Sequence, residues 1–208
     1  MKLLVATGNP GKLSEVREIL SGLELELVSL ADLGLDAPEE PFDTFQENAA
    51  AKATACAPGA RLWTLADDSG LCVDALRGGP GVRSARFAET DDARRRKLLD
   101  HLHGVAAVHR GAHFFCAVAL SSPDGRRLFR AEGRVDGRIA ESPRGSNGFG
   151  YDPLFLPDET PGRTLAELAS EEKNQLSHRG RALRELRPLL EQLAREGDLA
   201  YVLRRSET

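Results

Sequence analysis

The chain has 208 residues, of which 41% are hydrophobic and 29% are charged, and its net charge is −4. These values predict a folded protein with a substantial core, and they exclude a disordered chain and a general positive field that would coat nucleic acid. Three cysteines without a Cys-x-x-Cys pair argue against a disulfide framework or a structural zinc site. No apolar run has the length of a signal peptide core or a membrane span, so we expect a cytoplasmic protein that does not bind membranes.

The N-terminal residues predict a strand, a tight turn and a helix. Leu3–Ala6 is a short apolar run, Thr7–Lys12 contains two glycines and a proline, and Leu13–Leu20 has apolar residues at helical spacing. The backbone N–H groups and the dipole at the start of a helix favour an anion. An ordinary strand–helix turn has the same pattern, and the spacing is not that of a Walker A motif. Lys12 at the start of the helix favours the anion site.

The next segments predict a strand, a loop and a second helix. Leu23–Leu27 alternates apolar and acidic residues, which is typical of a half-exposed strand. Asp36–Pro41 is an acidic loop, either a solvated turn or a source of a metal-binding carboxylate. Thr44–Glu47 matches a capping box and predicts a helix that ends at Pro58-Gly59. Lys52 lies on this helix.

An apolar run at Leu62–Ala66 predicts a strand that ends in the sequence Asp67-Asp68-Ser69-Gly70. We expect these four residues to form a turn, because Asp and Gly are common turn residues. If strand geometry continues, Asp67 and Asp68 point to opposite faces. A buried carboxylate needs a hydrogen bond, a counter-ion or a metal, so the pair is a candidate site as well as a candidate turn.

The following residues predict a helix and two strands. Thr90–Leu102 has helical character and carries the four cations Arg94–Lys97, which face all sides and indicate a solvated surface. Phe114–Leu120 is a strongly apolar strand, and Leu128–Ile139 is its expected hairpin partner across a turn.

The last part of the chain predicts an aromatic loop and two helices. In Pro143–Pro153, Phe149 and Tyr151 alternate with glycines, which suits either an exposed stacking ring or aromatic side chains that dock into the core. Thr164–Lys173 predicts a short helix. A long amphipathic helix follows Ser177, with a kink expected at Pro188.

Five stretches occur in an order that closely resembles the inosine triphosphate pyrophosphatase family, also called dITP/XTP pyrophosphatases. They are Ala6–Lys12, Thr44–Ala53, Ala66–Gly70, Gly148–Pro153 and Ser177–Gly180. The resemblance runs from Lys2 to about Leu193. It implies a mixed α/β fold with a long central sheet flanked by helices, and two lobes with a nucleotide cleft between them. It also implies one domain over residues 1–195 and a homodimer. Residues 196–208 lie beyond the resemblance, and their composition predicts a charged tail.

The resemblance implies hydrolysis of dITP, ITP and XTP to a nucleoside monophosphate and pyrophosphate, which cleanses the nucleotide pool. Water activated by Mg²⁺ attacks the α-phosphate. Asp68, Lys12 and Lys52 are the implied catalytic residues, and Asp68 and Glu39 the implied metal ligands. The implied substrate-binding residues are Thr7, Gly8, Asn9, Pro10, Gly11, Lys12, Ser69, Phe149, Gly150, Tyr151, Asp152, Lys173, His178 and Arg179. Asp67 is expected to hold the turn, with a supporting role at the metal left open.

Three other functions compete with this one. A Maf-like nucleotide pyrophosphatase would act on other bases, and the Gly-Phe-Gly-Tyr-Asp and Ser-His-Arg stretches argue against it. A non-catalytic nucleotide-binding protein would not need Asp68 together with Lys12 and Lys52. A nucleic-acid-binding module that uses Arg94–Lys97 would bind with a steep dependence on salt concentration. We expect a small nucleotide as the partner, and no nucleic acid.

Overall fold

The structure is a computed structural model that describes the backbone of residues 1–204 and the side chains of residues 1–195. Of the predicted tail at residues 196–208, residues 196–204 have a described backbone, which belongs to the last helix, and residues 205–208 lie outside the described residues. The helices are α1 (Pro10–Ile19), α2 (Phe45–Ala60), α3 (Asp91–His101), α4 (Ser170–Leu176) and α5 (His178–Arg204). Within the described part of the chain, none of them combines the length and the apolar character that crossing a membrane requires.

The strands of the described chain form one six-stranded sheet. Its strands are β1 (Lys2–Val5), β2 (Glu26–Ser29), β3 (Trp63–Val73), β4 (Gly111–Ser121), β5 (Leu128–Ile139) and β6 (Phe155–Pro157). The order across the sheet is β2-β1-β3-β4-β5-β6. β1 is parallel to β2 and β3, whereas β5 and β6 are antiparallel to each other. The prediction of a mixed α/β fold is therefore confirmed.

β3 continues through the acidic stretch without a break. The predicted end of the strand at Ala66 and the predicted turn at Asp67–Gly70 are wrong, because β3 extends to Val73. Its neighbours β1 and β4 flank it in the sheet, and Asp67 and Asp68 are both buried. β1 pairs with β3 over Trp63–Leu65, before the acidic stretch, and β4 is the neighbour of β3 on its other side. Sheet context outweighs the turn preference of Asp and Gly, which is a weak local term.

Three other element boundaries differ from the sequence prediction. α2 passes the predicted end at Pro58-Gly59 and closes on Arg61, whose left-handed backbone (φ 55°) lets its N–H donate to Ala57 O. β2 begins at Glu26 instead of Leu23. The single helix predicted over Thr164–Lys173 is instead a 3₁₀ turn at Leu165–Glu167 followed by α4.

The chain divides into two compact units, each with its own buried residues. Unit 1 comprises Met1–Asp67, Ala117–Ala131 and the chain from Ala182 onward. Its fully buried side chains include Leu3, Leu4, Leu65, Leu120, Leu183 and Leu190.

Unit 2 comprises Asp68–Cys116 and Glu132–Arg181. Its core is one cluster that includes Leu71, Leu98, Phe114, Tyr151, Phe155 and Leu168. Phe114 and Phe155 pack as a tilted pair with ring centroids 4.8 Å apart. This core fixes the elements of unit 2 that carry the candidate site residues.

Replacing Leu4 by alanine tests the burial of β1. Leu4 is fully buried, and Leu33 is 40% exposed. We expect Leu4→Ala to lower the free energy of unfolding by about 2–5 kcal/mol, because it removes buried apolar atoms and leaves a cavity. Leu33→Ala, the matched control, should lose less than about 0.5 kcal/mol. Urea unfolding followed by circular dichroism measures both; similar losses would contradict the described core.

Candidate active site

The turn before α1 is held by the side chain of its own N-cap. Asn9 Oδ1 accepts hydrogen bonds from the N–H groups of Gly11 (2.8 Å) and Lys12 (3.2 Å). Asn9 N–H in turn donates to Thr7 Oγ1 at 3.2 Å, and Pro10 begins the helix. Because two N–H groups of the helix start already point at Asn9, the cation Lys12 is the main group that this turn offers to an anion.

Two lysines converge on Asp67 in unit 1. Lys12 Nζ lies 3.2 Å from Asp67 Oδ2, and Lys52 Nζ donates to the backbone oxygen of Asp67 at 2.6 Å. Lys52 also pairs with Glu40, whose Oε1 is 2.5 Å away. Lys52 and Asp67 are both only 5% exposed. Asp67, expected to hold a turn, is therefore the carboxylate that places Lys12.

Of the two adjacent acids in the loop before α2, Glu40 faces the lysines. Glu39, the predicted metal ligand, is exposed, and its role at a metal stays a prediction. The loop is fixed by the buried Asn48, whose side chain exchanges two hydrogen bonds of 3.0 Å with the N–H and C=O of Phe42. The sequence showed two neighbouring acids but no signal for which one turns inward.

Asp68 begins unit 2 and is only 3% exposed. Its Oδ1 accepts a hydrogen bond from the N–H of Ser69 at 2.9 Å. Ser69 Oγ accepts one from Arg179 Nη2, also at 2.9 Å, and Arg179 is almost completely buried. The structure thus brings together three predicted site residues: Asp68, Ser69 and Arg179.

Asp68 supplies the kind of ligand that Mg²⁺ prefers, a hard carboxylate oxygen. Among the described residues there is no group of three or more His, Cys, Asp or Glu side chains arranged to hold a metal. Mg²⁺ commonly takes one or two carboxylates and completes its shell with water and substrate phosphates. Asp68 fits this pattern, and magnesium binding stays a prediction.

A buried ion pair forms the second group of predicted site residues in unit 2. Lys173 Nζ lies 2.5 Å from Asp152 Oδ2, and both side chains are 5% exposed. The same carboxylate oxygen accepts a hydrogen bond from Phe149 N–H at 2.8 Å. The ring of Phe149 lies 5.0 Å from Lys173 Nζ and 5.8 Å from Arg179 Cζ. Phe149 therefore presents a half-buried aromatic ring beside two cations.

Position 148 requires a glycine, because the ion pair of Asp152 and Lys173 lies directly against its backbone. Its φ is +74°, and a Cβ atom there would fall 2.1 Å from Asp152 Oδ2 and 2.9 Å from Lys173 Nζ. Any side chain would therefore displace the buried carboxylate and its ammonium partner.

The two aromatic residues of the loop have different environments. Tyr151 is 4% exposed, belongs to the core cluster of unit 2, and donates its hydroxyl to Ser84 O at 3.0 Å. Burial raises the pKa of the Tyr151 phenol. Of the two alternatives left open for the aromatic residues of this loop, docking into the core holds for Tyr151, and Phe149 is the aromatic side chain of the loop that is not buried. A contact of Tyr151 with substrate stays a prediction.

His178 is also placed by packing. Its ring is stacked on Phe114 with centroids 4.7 Å apart and an interplanar angle of 7°. The side chain is 5% exposed at the start of α5. A contact of His178 with a substrate base stays a prediction.

The cations of α3 are predicted to form a solvated surface, and Arg96 and Lys97 are indeed exposed. Three of the four cations also make specific contacts within unit 2. Arg94 binds Asp91 and Ala88 O, and Lys97 donates to Phe87 O. Arg95 reaches the loop that carries Phe149 and Tyr151, and donates to Gly150 O at 2.6 Å. The available signal was the (i, i+3) spacing of Asp91 to Arg94 and of Asp92 to Arg95, which pairs the charges along one helix.

Sequence comparison assigns the chain to a family. The sequence model of the Ham1 family matches residues 3–189. The chain belongs to the Ham1 family. The predicted resemblance to dITP/XTP pyrophosphatases is confirmed by relatives that bear this name. One from Geobacter sulfurreducens is 51% identical over 88% of this chain and 92% of its own length. One from Bacillus subtilis is 47% identical over 90% of this chain and 96% of its own length.

Solved structures of other Ham1 proteins have the same fold. A Ham1 protein from Coxiella burnetii is 40% identical, with a TM-score of 0.81 over 92% of this chain and 99% of its own. A nucleoside-triphosphatase, or dITP/XTP pyrophosphatase, from Mycobacterium abscessus is 47% identical, with a TM-score of 0.68 over 90% of this chain and all of its own.

Replacing Asp152 by asparagine tests the buried ion pair of this Ham1 protein. The variant removes the negative charge that faces the buried Lys173 ammonium, so we expect a loss of about 3 kcal/mol in the free energy of unfolding. Glu172→Gln is the control, because its pair with Arg163 is exposed (39% and 48%) and screened by solvent, so its loss should change the free energy of unfolding much less. Urea unfolding compares the two variants. Equal losses would show that Lys173 and Asp152 are not a buried pair.

Proposed function

We propose that this chain hydrolyses the triphosphates of non-canonical purines, dITP, ITP and XTP, to a nucleoside monophosphate and pyrophosphate. Membership of the Ham1 family and relatives named dITP/XTP pyrophosphatases support this activity. The observation that carries the proposal is the convergence of Lys12 and Lys52 on Asp67, one residue before the buried Asp68. One strand thus positions two ammonium groups and also supplies Asp68, an acid that can activate water. This combination suits the attack of water on a phosphate.

The lysines of unit 1 act on the phosphates. We assign to Lys12 and Lys52 the neutralisation of charge on the triphosphate, which grows on the leaving pyrophosphate as the bond to the α-phosphorus breaks. Both side chains are held by carboxylates before substrate arrives, so little reorganisation is needed at the moment of reaction. The turn at Thr7–Lys12 is assigned to the same phosphates.

Asp68 is assigned as the base that takes a proton from the attacking water. An aspartate with an ordinary pKa near 3.9 is a weak base at neutral pH. A bound Mg²⁺ would lower the pKa of its water and neutralise phosphate charge. We propose Asp68 and Glu39 as the protein ligands of that metal. Attack by water requires no covalent intermediate on the enzyme.

Base selection is assigned to unit 2. Hypoxanthine and xanthine carry a 6-keto oxygen, which accepts hydrogen bonds, whereas adenine carries an amino group that donates them. Arg179 and Lys173 can only donate. A buried donor facing the adenine amino group would remain unpaired, so adenine is rejected strongly. Guanine also has a 6-keto oxygen, and its rejection must arise at the 2-amino group. Phe149 supplies the surface on which the base stacks.

We further propose a homodimer in the cytoplasm. The free cysteines Cys56, Cys72 and Cys116 are all buried in the described chain, which suits a reducing compartment. Burial raises the thiol pKa of Cys56 and of Cys72 and so keeps these groups unreactive. Solution mass from light scattering tests the dimer directly.

The competing functions lose support. A Maf-like specificity is not favoured, since the Ham1 family model covers residues 3–189. A nucleic-acid-binding module is not favoured either, because Arg94, Arg95 and Lys97 are engaged in contacts within unit 2.

A substrate panel tests the proposed function. Pyrophosphate release is measured from dITP, XTP, dATP and dGTP, with Mg²⁺ and with EDTA. We expect turnover of dITP and XTP only with Mg²⁺, at a kcat/KM at least about a hundredfold above that for dATP, because the buried donors would leave an unpaired group against adenine. Absence of metal-dependent turnover of both dITP and XTP would refute the proposal.

Replacing Asp68 by asparagine separates catalysis from binding. The amide keeps the size of the carboxylate but cannot act as a base, so we expect kcat for dITP to fall by about 10²–10⁴-fold. Binding of a non-hydrolysable imido analogue of dITP, measured by calorimetry, should remain. Asp158→Asn, at an exposed position, is the control and should retain activity. Activity of Asp68→Asn close to that of the control would remove Asp68 from the proposed role.

A further inference from the structure

Side chains of helix α3 bind both the backbone N–H and the backbone C=O of Gly150, in the loop that carries Phe149. Arg95 Nη1 donates to Gly150 O at 2.6 Å, and Gly150 N–H donates to Asp91 Oδ2 at 2.7 Å. These partners are 55 and 59 positions apart in the chain, and all three lie in unit 2. We call Asp91 and Arg95 the α3 clamp.

The α3 clamp is itself fixed by neighbouring groups. Asp91 Oδ1 accepts from Arg94 Nη1 at 2.7 Å, and Arg94 Nε donates to Ala88 O at 2.9 Å. Arg95 is also paired with Asp92. The side chains of Arg94 and Arg95 are 19% and 17% exposed. The charged groups that hold Gly150 are therefore placed before any ligand binds.

The contacts of the clamp determine the position of the Phe149 ring. The two peptide units on either side of Phe149 are both bonded: its own N–H donates to Asp152, and the next N–H, of Gly150, donates to Asp91. Fixing both peptide planes fixes φ and ψ of Phe149 and hence the direction of its Cα–Cβ bond. Arg95 binds the following peptide plane through Gly150 O, and so holds the glycine whose N–H makes the bond to Asp91. Gly150 accommodates the turn with a left-handed backbone, φ +61°.

We propose that Asp91 and Arg95 are positioning residues for base recognition, acting through the Gly150 peptide on Phe149. The inference rests on the proposed function, in which Phe149 stacks on the purine. Stacking on a fixed ring is stronger than on a mobile one, because no loop has to be ordered when the base binds. The interaction forms already in the ground-state complex, so its loss raises KM and leaves kcat nearly unchanged.

The test replaces Arg95 by methionine, which keeps the length of the apolar stem and removes every hydrogen-bond donor. Arg96→Met is the matched control, since Arg96 is the next residue of the same helix and is exposed. We expect KM for dITP to rise about tenfold in Arg95→Met, the size of a partial loss of base stacking, with kcat changed less than about twofold. Arg96→Met should match the wild type. Arg95→Lys restores one donor and should recover part of the loss.

Two further measurements distinguish positioning from a general disturbance of the fold. Inorganic tripolyphosphate has no base, so its inhibition constant should be the same in Arg95→Met and in the wild type. In a Phe149→Ala background, Arg95→Met should raise KM little further, because effects that act through one ring are not additive. Circular dichroism and gel filtration check folding, and Arg95→Lys replaces Arg95→Met in the comparison if the latter does not fold.

Distinct outcomes overturn the two proposals. If the wild type releases pyrophosphate from dITP and Arg95→Met has the KM of Arg96→Met, the positioning role is refuted and the proposed function stands. The positioning role is also refuted if Arg95→Met raises the inhibition constant of tripolyphosphate as much as it raises KM for dITP. It is refuted too if Arg95→Met raises KM equally in the wild type and in the Phe149→Ala background. If the wild type turns over neither dITP nor XTP, the proposed function and the role of the clamp in base recognition are refuted together.

Discussion

The burial of two consecutive carboxylates in one strand is the constraint on which the rest of this structure depends. Asp67 and Asp68 lie within β3, and neither can be removed from water without partners. Asp67 obtains Lys12 and, through its backbone oxygen, Lys52. Asp68 obtains the N–H of Ser69. The need to satisfy Asp67 brings the turn with Lys12, the helix with Lys52 and the start of β3 together within unit 1.

The same principle organises unit 2 around Asp152. One carboxylate oxygen neutralises Lys173 and caps the N–H of Phe149. Gly148 leaves room for it by having no side chain. A single buried acid thus sets the place of a cation and of an aromatic ring, and loss of its charge is costly because the ammonium group is buried with it.

The sequence sufficed for the features that depend on local pattern. The capping box at Thr44 predicted the start of α2, and the Asn9-Pro10 sequence lies where α1 begins. Motif order sufficed for the family. Features that depend on distant partners were missed. The turn predicted at Asp67–Gly70 is part of β3, because local preference cannot reveal that this strand lies inside a sheet, next to β4.

The choice between similar neighbouring residues was also beyond the sequence. Nothing in Glu39-Glu40 shows which acid meets Lys52, since that is decided by how Asn48 holds the loop at Phe42. Nothing in Phe149 and Tyr151 shows which ring is buried, since that depends on the packing of Tyr151 in the core of unit 2, where its hydroxyl also finds Ser84 O as a partner. The role of Arg95 depends on a residue 55 positions away.

The lysine cluster of unit 1 has a consequence for how a substrate arrives. Lys12 and Lys52 face the carboxylates of Asp67 and Glu40, so the four side chains together carry no net charge. The net charge of the whole chain is −4. A polyanion approaching through solvent therefore meets no attractive long-range field and gains no electrostatic steering. Capture depends on contacts made after encounter, when phosphate oxygens approach ammonium groups that the carboxylates already hold in place. Because the chain and a polyanionic substrate are both negative, salt screens their repulsion, and the association rate should rise with ionic strength.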